Sequence, residues 1–116
     1  MAQVSAWHTS AADAARAKLP EGRRSAEILR HGSLEVRWYA PQGSDPQAPH
    51  DRDEIYIVAS GQGTFVRGEE RIPFRANDLL FVPAGTAHRF EEFSADFATW
   101  VAFWGPKGGE RDNPFP

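Results

Sequence analysis

The chain has 116 residues, 41% of them apolar, with 13 basic against 16 acidic side chains and a net charge of −3. That is one domain's length with a core of ordinary size, and it offers no basic face for nucleic acid. No window reaches the ~20 apolar residues of a membrane-spanning helix, and the absence of cysteine excludes disulfides, thiolate metal sites and cysteine nucleophiles.

The opening M-A-Q-V-S-A-W-H lacks a basic stretch followed by an apolar one, so no signal peptide is expected and the cytoplasm is the default address. From Ser10 to Leu19 the chain is Ala-rich, with Ser10 three residues before Asp13 in capping-box spacing. A short helix is predicted there, stopped by Pro20 and Gly22, as an arm (residues 1–23) lying on the domain.

Strands follow. Ser25–Arg30 and Leu34–Tyr39 flank a hairpin turn at His31-Gly32-Ser33. Ala40–Pro49 is a loop rich in turn formers. Ile55–Val58, closed by Gly61 and Gly63, is predicted as a strand feeding a hairpin. Thr64–Arg67, Arg71–Phe74, Leu79–Val82, His88–Phe90 and Phe97–Trp104 complete the strands, and Pro83–Thr86 is the turn that delivers His88. Residues 105–116 are too rich in Gly and Pro for regular structure. Short strands separated by frequent turn signals predict an all-β sandwich or barrel over residues 24–104, with Trp38, Trp100 and Trp104 supplying much of its core.

Three side chains are candidates for one site: His50, Glu54 and His88. On a strand, His50 and Glu54 share a face but lie ~13 Å apart, whereas metal bonds to nitrogen and oxygen span only ~2.0–2.2 Å. If both grip one ion, the chain must bend at Asp51-Arg52-Asp53, and His88 must arrive from another strand. The alternative is a polar barrel mouth in which the two rings bond to each other or to Glu54. His8 and His31 are expected to be solvated, Glu69-Glu70 and Glu91-Glu92 to be exposed strand-end charges, and Asp78 to brace its turn. Tyr56 and Val58 share the face of Glu54, and Phe90 that of His88, as cavity wall or plain core. Arg37 is expected to face solvent; turned inward, it would hold a substrate carboxylate.

Glu54, six residues and then Gly61 fit the end of the first cupin motif, G-x5-H-x-H-x3-4-E-x6-G. Pro83, Gly85 and His88 fit the second, G-x5-P-x-G-x2-H-x3-N. The chain resembles a small single-domain bacterial cupin from about Leu34 to Trp104. The resemblance implies a double-stranded β-helix (jelly-roll) barrel with a metal in its mouth, held by His50, Glu54 and His88. Departures from the pattern are Ala48 in place of the first histidine, Gly43 out of register by one residue, Asn77 for the opening glycine and Glu92 for the final asparagine. Asn at 77 suits a left-handed turn, and Asp51 or Asp53 is a candidate replacement oxygen.

Two imidazoles and a carboxylate resemble the facial triad of non-haem Fe(II) oxygenases and also suit Mn(II), Zn or Ni. The leading expectation is therefore a metal-binding cupin, dioxygenase-like, acting on a small organic acid or other oxygen-bearing metabolite, with Tyr56 as the acid–base candidate. A non-catalytic binding or sensing module is the alternative, and a sugar isomerase or epimerase rests on fold analogy alone. A homodimer is what the resemblance implies; the acidic charge balance and the lack of a long apolar window lead to the expectation of no nucleic-acid or membrane partner.

Overall fold

The computed structural model describes residues 7–111; the remaining ends of the predicted arm and tail lie outside the described residues. Ser10 caps α1 (Ala11–Ala15) by accepting the Asp13 N–H, while the Asp13 carboxylate pairs with Arg16. The helix is shorter than the Ala-rich stretch.

Eight strands follow: β1 (Ser25–His31), β2 (Leu34–Tyr39), β3 (Asp53–Ser60), β4 (Gln62–Arg67), β5 (Glu70–Arg75), β6 (Leu79–Val82), β7 (His88–Glu91) and β8 (Ala98–Trp104). They form a five-stranded sheet in the order β1-β2-β8-β3-β6 facing a three-stranded sheet in the order β5-β4-β7, with every pairing antiparallel. This is the all-β jelly-roll predicted. At the turns, Asn77 holds a positive φ of 77° and Asp78 accepts the Arg75 N–H, bracing the entry to β6.

One connection differs from the sequence reading. Ile55–Val58 does not feed a hairpin: β3 pairs with β6 and β8, whereas β4 pairs with β5 and β7. Gly61, at φ +86°, is where the chain leaves one sheet for the other, after a register shift between Val58 and Ser60. A Cβ on Gly61 would stand 2.5 Å from the Phe97 Cα, so the crossing is packed backbone against backbone.

Between the sheets lies a core of Tyr39, Tyr56, Val58, Phe65, Phe74, Leu80, Val82, Phe90, Phe97, Val101 and Phe103. The tryptophans predicted for it lie elsewhere. Trp38 and Trp100 stack edge to face at 4.8 Å in a second cluster with Ala14 and Ile28, and Trp104 stacks on Phe81. The arm explains this: α1 covers the outer face of β1, β2 and β8, so β2 is buried on both sides. Its apolar Val36 and Trp38 go to the helix side, and the alternate set Glu35, Arg37 and Tyr39 turns into the barrel.

Candidate metal site

Glu54 starts the inner face of β3, opposite Phe103 on β8, followed by Tyr56 and Val58; all three are 1% exposed. His88 comes from β7 of the other sheet and is buried. His50 precedes β3 in a bent segment pinned from two directions. Gly85, in the Pro83–Thr86 turn, donates its N–H to the His50 carbonyl at 2.7 Å, and Gly108 donates to the Asp51 carbonyl at 2.6 Å. The bend at residues 51–53 that a shared site requires is therefore present.

Neither acidic residue of that bend supplies a replacement ligand. Asp51 is exposed, and Asp53 accepts backbone N–H groups from Ala84 at 2.9 Å and Glu110 at 2.8 Å, tying the turn and the C-terminal segment to β3.

The fold brings His50, Glu54 and His88 together, with one donor atom from each lying within 4.8 Å of the others. The rings of His50 and His88 are 5.4 Å apart, and His50 packs edge-on against Phe103 at 4.9 Å. His88 Nδ1 lies 2.8 Å from the Thr86 carbonyl. A carbonyl only accepts, so Nδ1 carries the proton and the neutral ring turns its Nε2 lone pair inward.

That lone pair meets Glu54 Oε1 at 3.0 Å and the Tyr56 hydroxyl at 3.1 Å. The Tyr56 hydroxyl in turn donates to Gln47 Oε1 at 3.1 Å. Glu54 Oε1 is buried and has no hydrogen-bond donor, although it sits at ion-pair distance from His88. Acceptors thus outnumber protons at this point, and a proton on His88 or a cation between the groups restores the balance. The 3.0 Å separation of Nε2 and Oε1 matches the ~3.0 Å between adjacent ligands at right angles on an ion with ~2.1 Å bonds. The Glu54–His88 pair fits two adjacent positions on a divalent metal, with a His50 donor atom within 4.8 Å of both.

Burial presses the His88 pKa down, but Glu54, the Thr86 carbonyl and Asp45 outweigh it and the net shift is upward. Burial, reinforced by the Glu54 charge, raises Tyr56 well above the usual phenol range, so Tyr56 is a protonated donor.

In front of the site opens a cavity of about 790 Å³ lined by His50, Glu54, Tyr56, Gln47, Val101 and Phe103, with His88 buried behind this wall. Arg23, Arg24, Arg30, Arg37, Arg52 and Lys107 also border it, against Glu35, Asp51 and Glu54 among the acids. The cavity is thus electropositive within a chain of net charge −3.

Arg37 is here and not at the surface: it is 7% exposed, because the helix-covered outer face of β2 takes the apolar side chains. Its guanidinium is already engaged, through Nε to Ser25 Oγ at 2.6 Å, Nη2 to the Ser25 carbonyl at 2.8 Å and Nη1 to Glu35 at 2.6 Å. Burial works against ionisation of Glu35, but hydrogen bonds from Arg52 and Arg37 and the charge of Arg30 prevail and lower its pKa. Arg52 is a half-buried member of this clamp, 2.8 Å from Glu35 and 5.2 Å above the Phe103 ring. Arg52→Ala is expected to cost no more than ~1 kcal/mol in urea denaturation, since the partly solvated pair is screened and Arg30 and Arg37 still hold Glu35.

Sequence reasoning missed Gln47 and Asp45. Gln47 donates to Asp45 Oδ2 at 2.7 Å, and buried Asp45 also accepts the Phe90 N–H at 2.8 Å and the Tyr39 hydroxyl. Both sit in a turn-rich loop whose composition signals only irregular chain; no local pattern marks them.

Residues 35–104 match the family model of the cupin domain. The chain belongs to the cupin family. An uncharacterised protein of Streptomyces coelicolor is 35% identical over 83 residues, covering 70% of this cupin and 79% of its own length. Among solved structures, a cupin 2 conserved barrel domain protein from Salinispora arenicola is 24% identical with a TM-score of 0.64, covering 87% of this chain and 91% of its own. A predicted oxalate decarboxylase from Thermotoga maritima is 21% identical with a TM-score of 0.56, covering 69% of this cupin and 77% of that chain. These structural likenesses concern the barrel; the chemistry depends on this cupin's own residues. No helix among the described residues is long and apolar enough to cross a membrane.

Proposed function

We propose that this cupin binds one divalent transition metal, Fe(II), Mn(II), Zn or Ni, through His50, Glu54 and His88, and acts in dioxygenase-like fashion on a small organic anion. The observation that carries the reading is the buried Glu54 Oε1, without a donor and 3.0 Å from the inward lone pair of His88. When bound, such a metal polarises substrate oxygens or activates oxygen.

The chain's own part is to attract and hold the substrate. Arg52 and Lys107 on the cavity wall draw a carboxylate inward, and Phe103 and Val101 pack its carbon skeleton. Tyr56 holds its proton for donation to a developing charge on the substrate. Arg37, engaged by Ser25 and Glu35, shapes the wall.

Metal analysis of protein purified without chelator tests the assignment. A first-row metal near one per chain, lost in the His50→Ala, His88→Ala double variant, is the expected result. No bound metal, or equal content in the variant, overturns it.

Ala48 in place of the first motif histidine favours a second reading, a binding module that holds a metabolite without turning it over. Thermal stabilisation by small carboxylates that Mn(II) neither enhances nor is needed for would favour it; metal-dependent turnover would exclude it as the whole role. The exposed Ile57, Leu79 and Phe81 on the outer face of the β3–β6 pair support pairing as a homodimer, which light scattering measures directly.

A further inference from the structure

Position 48 is where the family pattern calls for a ligand and this chain has none, yet its neighbour reaches the site. The Ala48 side chain is exposed, whereas Gln47 is half-buried with its amide oxygen turned inward. We propose that Gln47 Oε1 is the fourth protein ligand of the metal, taking the place of the missing histidine. This rests on the metal site proposed above and goes beyond it.

Gln47 Oε1 lies 3.4 Å from His50 Nε2. Adjacent ligands on one ion with bonds of ~2.1 Å stand roughly 3.0–3.4 Å apart for angles between octahedral and tetrahedral. The same oxygen is 3.1 Å from the Tyr56 hydroxyl, which is itself 3.1 Å from His88 Nε2, so it borders the same small volume.

Its orientation is built in. The amide nitrogen donates to Asp45 Oδ2 at 2.7 Å, and an anionic carboxylate accepts only from the –NH2 side of the amide. The opposite, oxygen side must then face the histidines. Asp45 is 6% exposed and is anchored to the Phe90 N–H on β7 and the Tyr39 hydroxyl on β2. A ligand held by a buried hydrogen-bonded carboxylate is the arrangement that orients metal donors generally. A neutral amide oxygen completes the set without adding charge, consistent with a hard or borderline divalent ion.

The test titrates Co(II) into chelator-stripped full-length protein, comparing wild type with Gln47→Ala, Gln47→Leu, Tyr56→Phe and the Gln47→Leu, Tyr56→Phe pair. Near-UV circular dichroism confirms that each is folded. Both Gln47 variants are expected to lose at least roughly tenfold in Co(II) affinity, the lower end of what even an outer partner of a ligand commands. Their visible Co(II) absorption should also change, and the Gln47→Leu, Tyr56→Phe pair should bind Co(II) more weakly than Tyr56→Phe alone. Unchanged affinity and spectrum in both Gln47 variants would overturn the assignment. So would an equal loss in Tyr56→Phe with no further loss in the pair, since Gln47 would then act only by positioning Tyr56. Failure of wild type itself to bind Co(II) would instead bring down the underlying metal site.

Discussion

Glu54→Gln is expected to abolish metal binding and, at the same time, to raise the stability of the metal-free protein at alkaline pH. The carboxylate is 1% exposed and presents Oε1, without a donor, to the lone pair of His88 at 3.0 Å. Glutamine keeps the shape and offers an N–H2 to that lone pair. Relieving one buried unsatisfied charged acceptor is worth ~1–3 kcal/mol, which for a domain near this size moves Tm by about 5–15 °C.

The sign depends on pH through His88. Its folded pKa is raised above the unfolded value of 6.5, so its pairing with Glu54 contributes stability that is complete below pH 6.5 and lost as pH climbs through the folded value. At pH 5.5 the protonated ring needs the carboxylate, and Glu54→Gln lowers Tm; at pH 9 it raises Tm. Calorimetry of chelator-treated wild type and variant at both pH values checks the reversal, and a shift of the same sign at both would refute it. In parallel, Mn(II) or Co(II) affinity of the variant should fall by roughly 100-fold or more, beyond what loss of an outer partner costs.

Gly61→Ala should be the most damaging small substitution in the barrel. The residue sits at φ +86°, and an added Cβ would lie 2.5 Å from the Phe97 Cα, 2.8 Å from its nitrogen and 2.8 Å from Ser94 Oγ. The left-handed conformation costs ~1–2 kcal/mol for a residue with a Cβ, and forcing an atom into packed backbone costs a further ~1–3 kcal/mol. Phe97 is 1% exposed and stacks at 4.6 Å on Phe90, so it has no room to retreat. We expect a loss of about 2–5 kcal/mol in urea denaturation from the two contributions together. Gly68→Ala is the control: φ is +61° but nothing lies within 4 Å of its added Cβ, so only the ~1–2 kcal/mol conformational part applies. Equal losses at the two positions would contradict the close approach of the sheets at Gly61.

The strands were legible because their signals are local. The bounds of Leu34–Tyr39 and Leu79–Val82 coincide with β2 and β6, since β-branched and aromatic runs ended by turn residues leave few other options. The hairpin at Gly61 was misread for the same reason. A glycine pair after a strand looks alike whether the chain turns back or crosses to a second sheet, and what separates the cases is Phe97, 36 residues further on.

Arg37 and the tryptophans show a second limit. Strict alternation over Glu35–Tyr39 says that two sets point oppositely, but not which set faces the barrel. The helix of the arm decided that by covering the outer face.

By itself, the sequence determined the alternating strands, the turns and the spacing of His50, Glu54 and His88, all set by neighbours a few residues apart. Only the tertiary structure decided that these three meet, that Arg37 turns inward and that Gln47 joins them. Each of those outcomes depends on a partner distant in the chain: β7 for His88, α1 for Arg37, and the Asp45 carboxylate, anchored to β2 and β7, for Gln47.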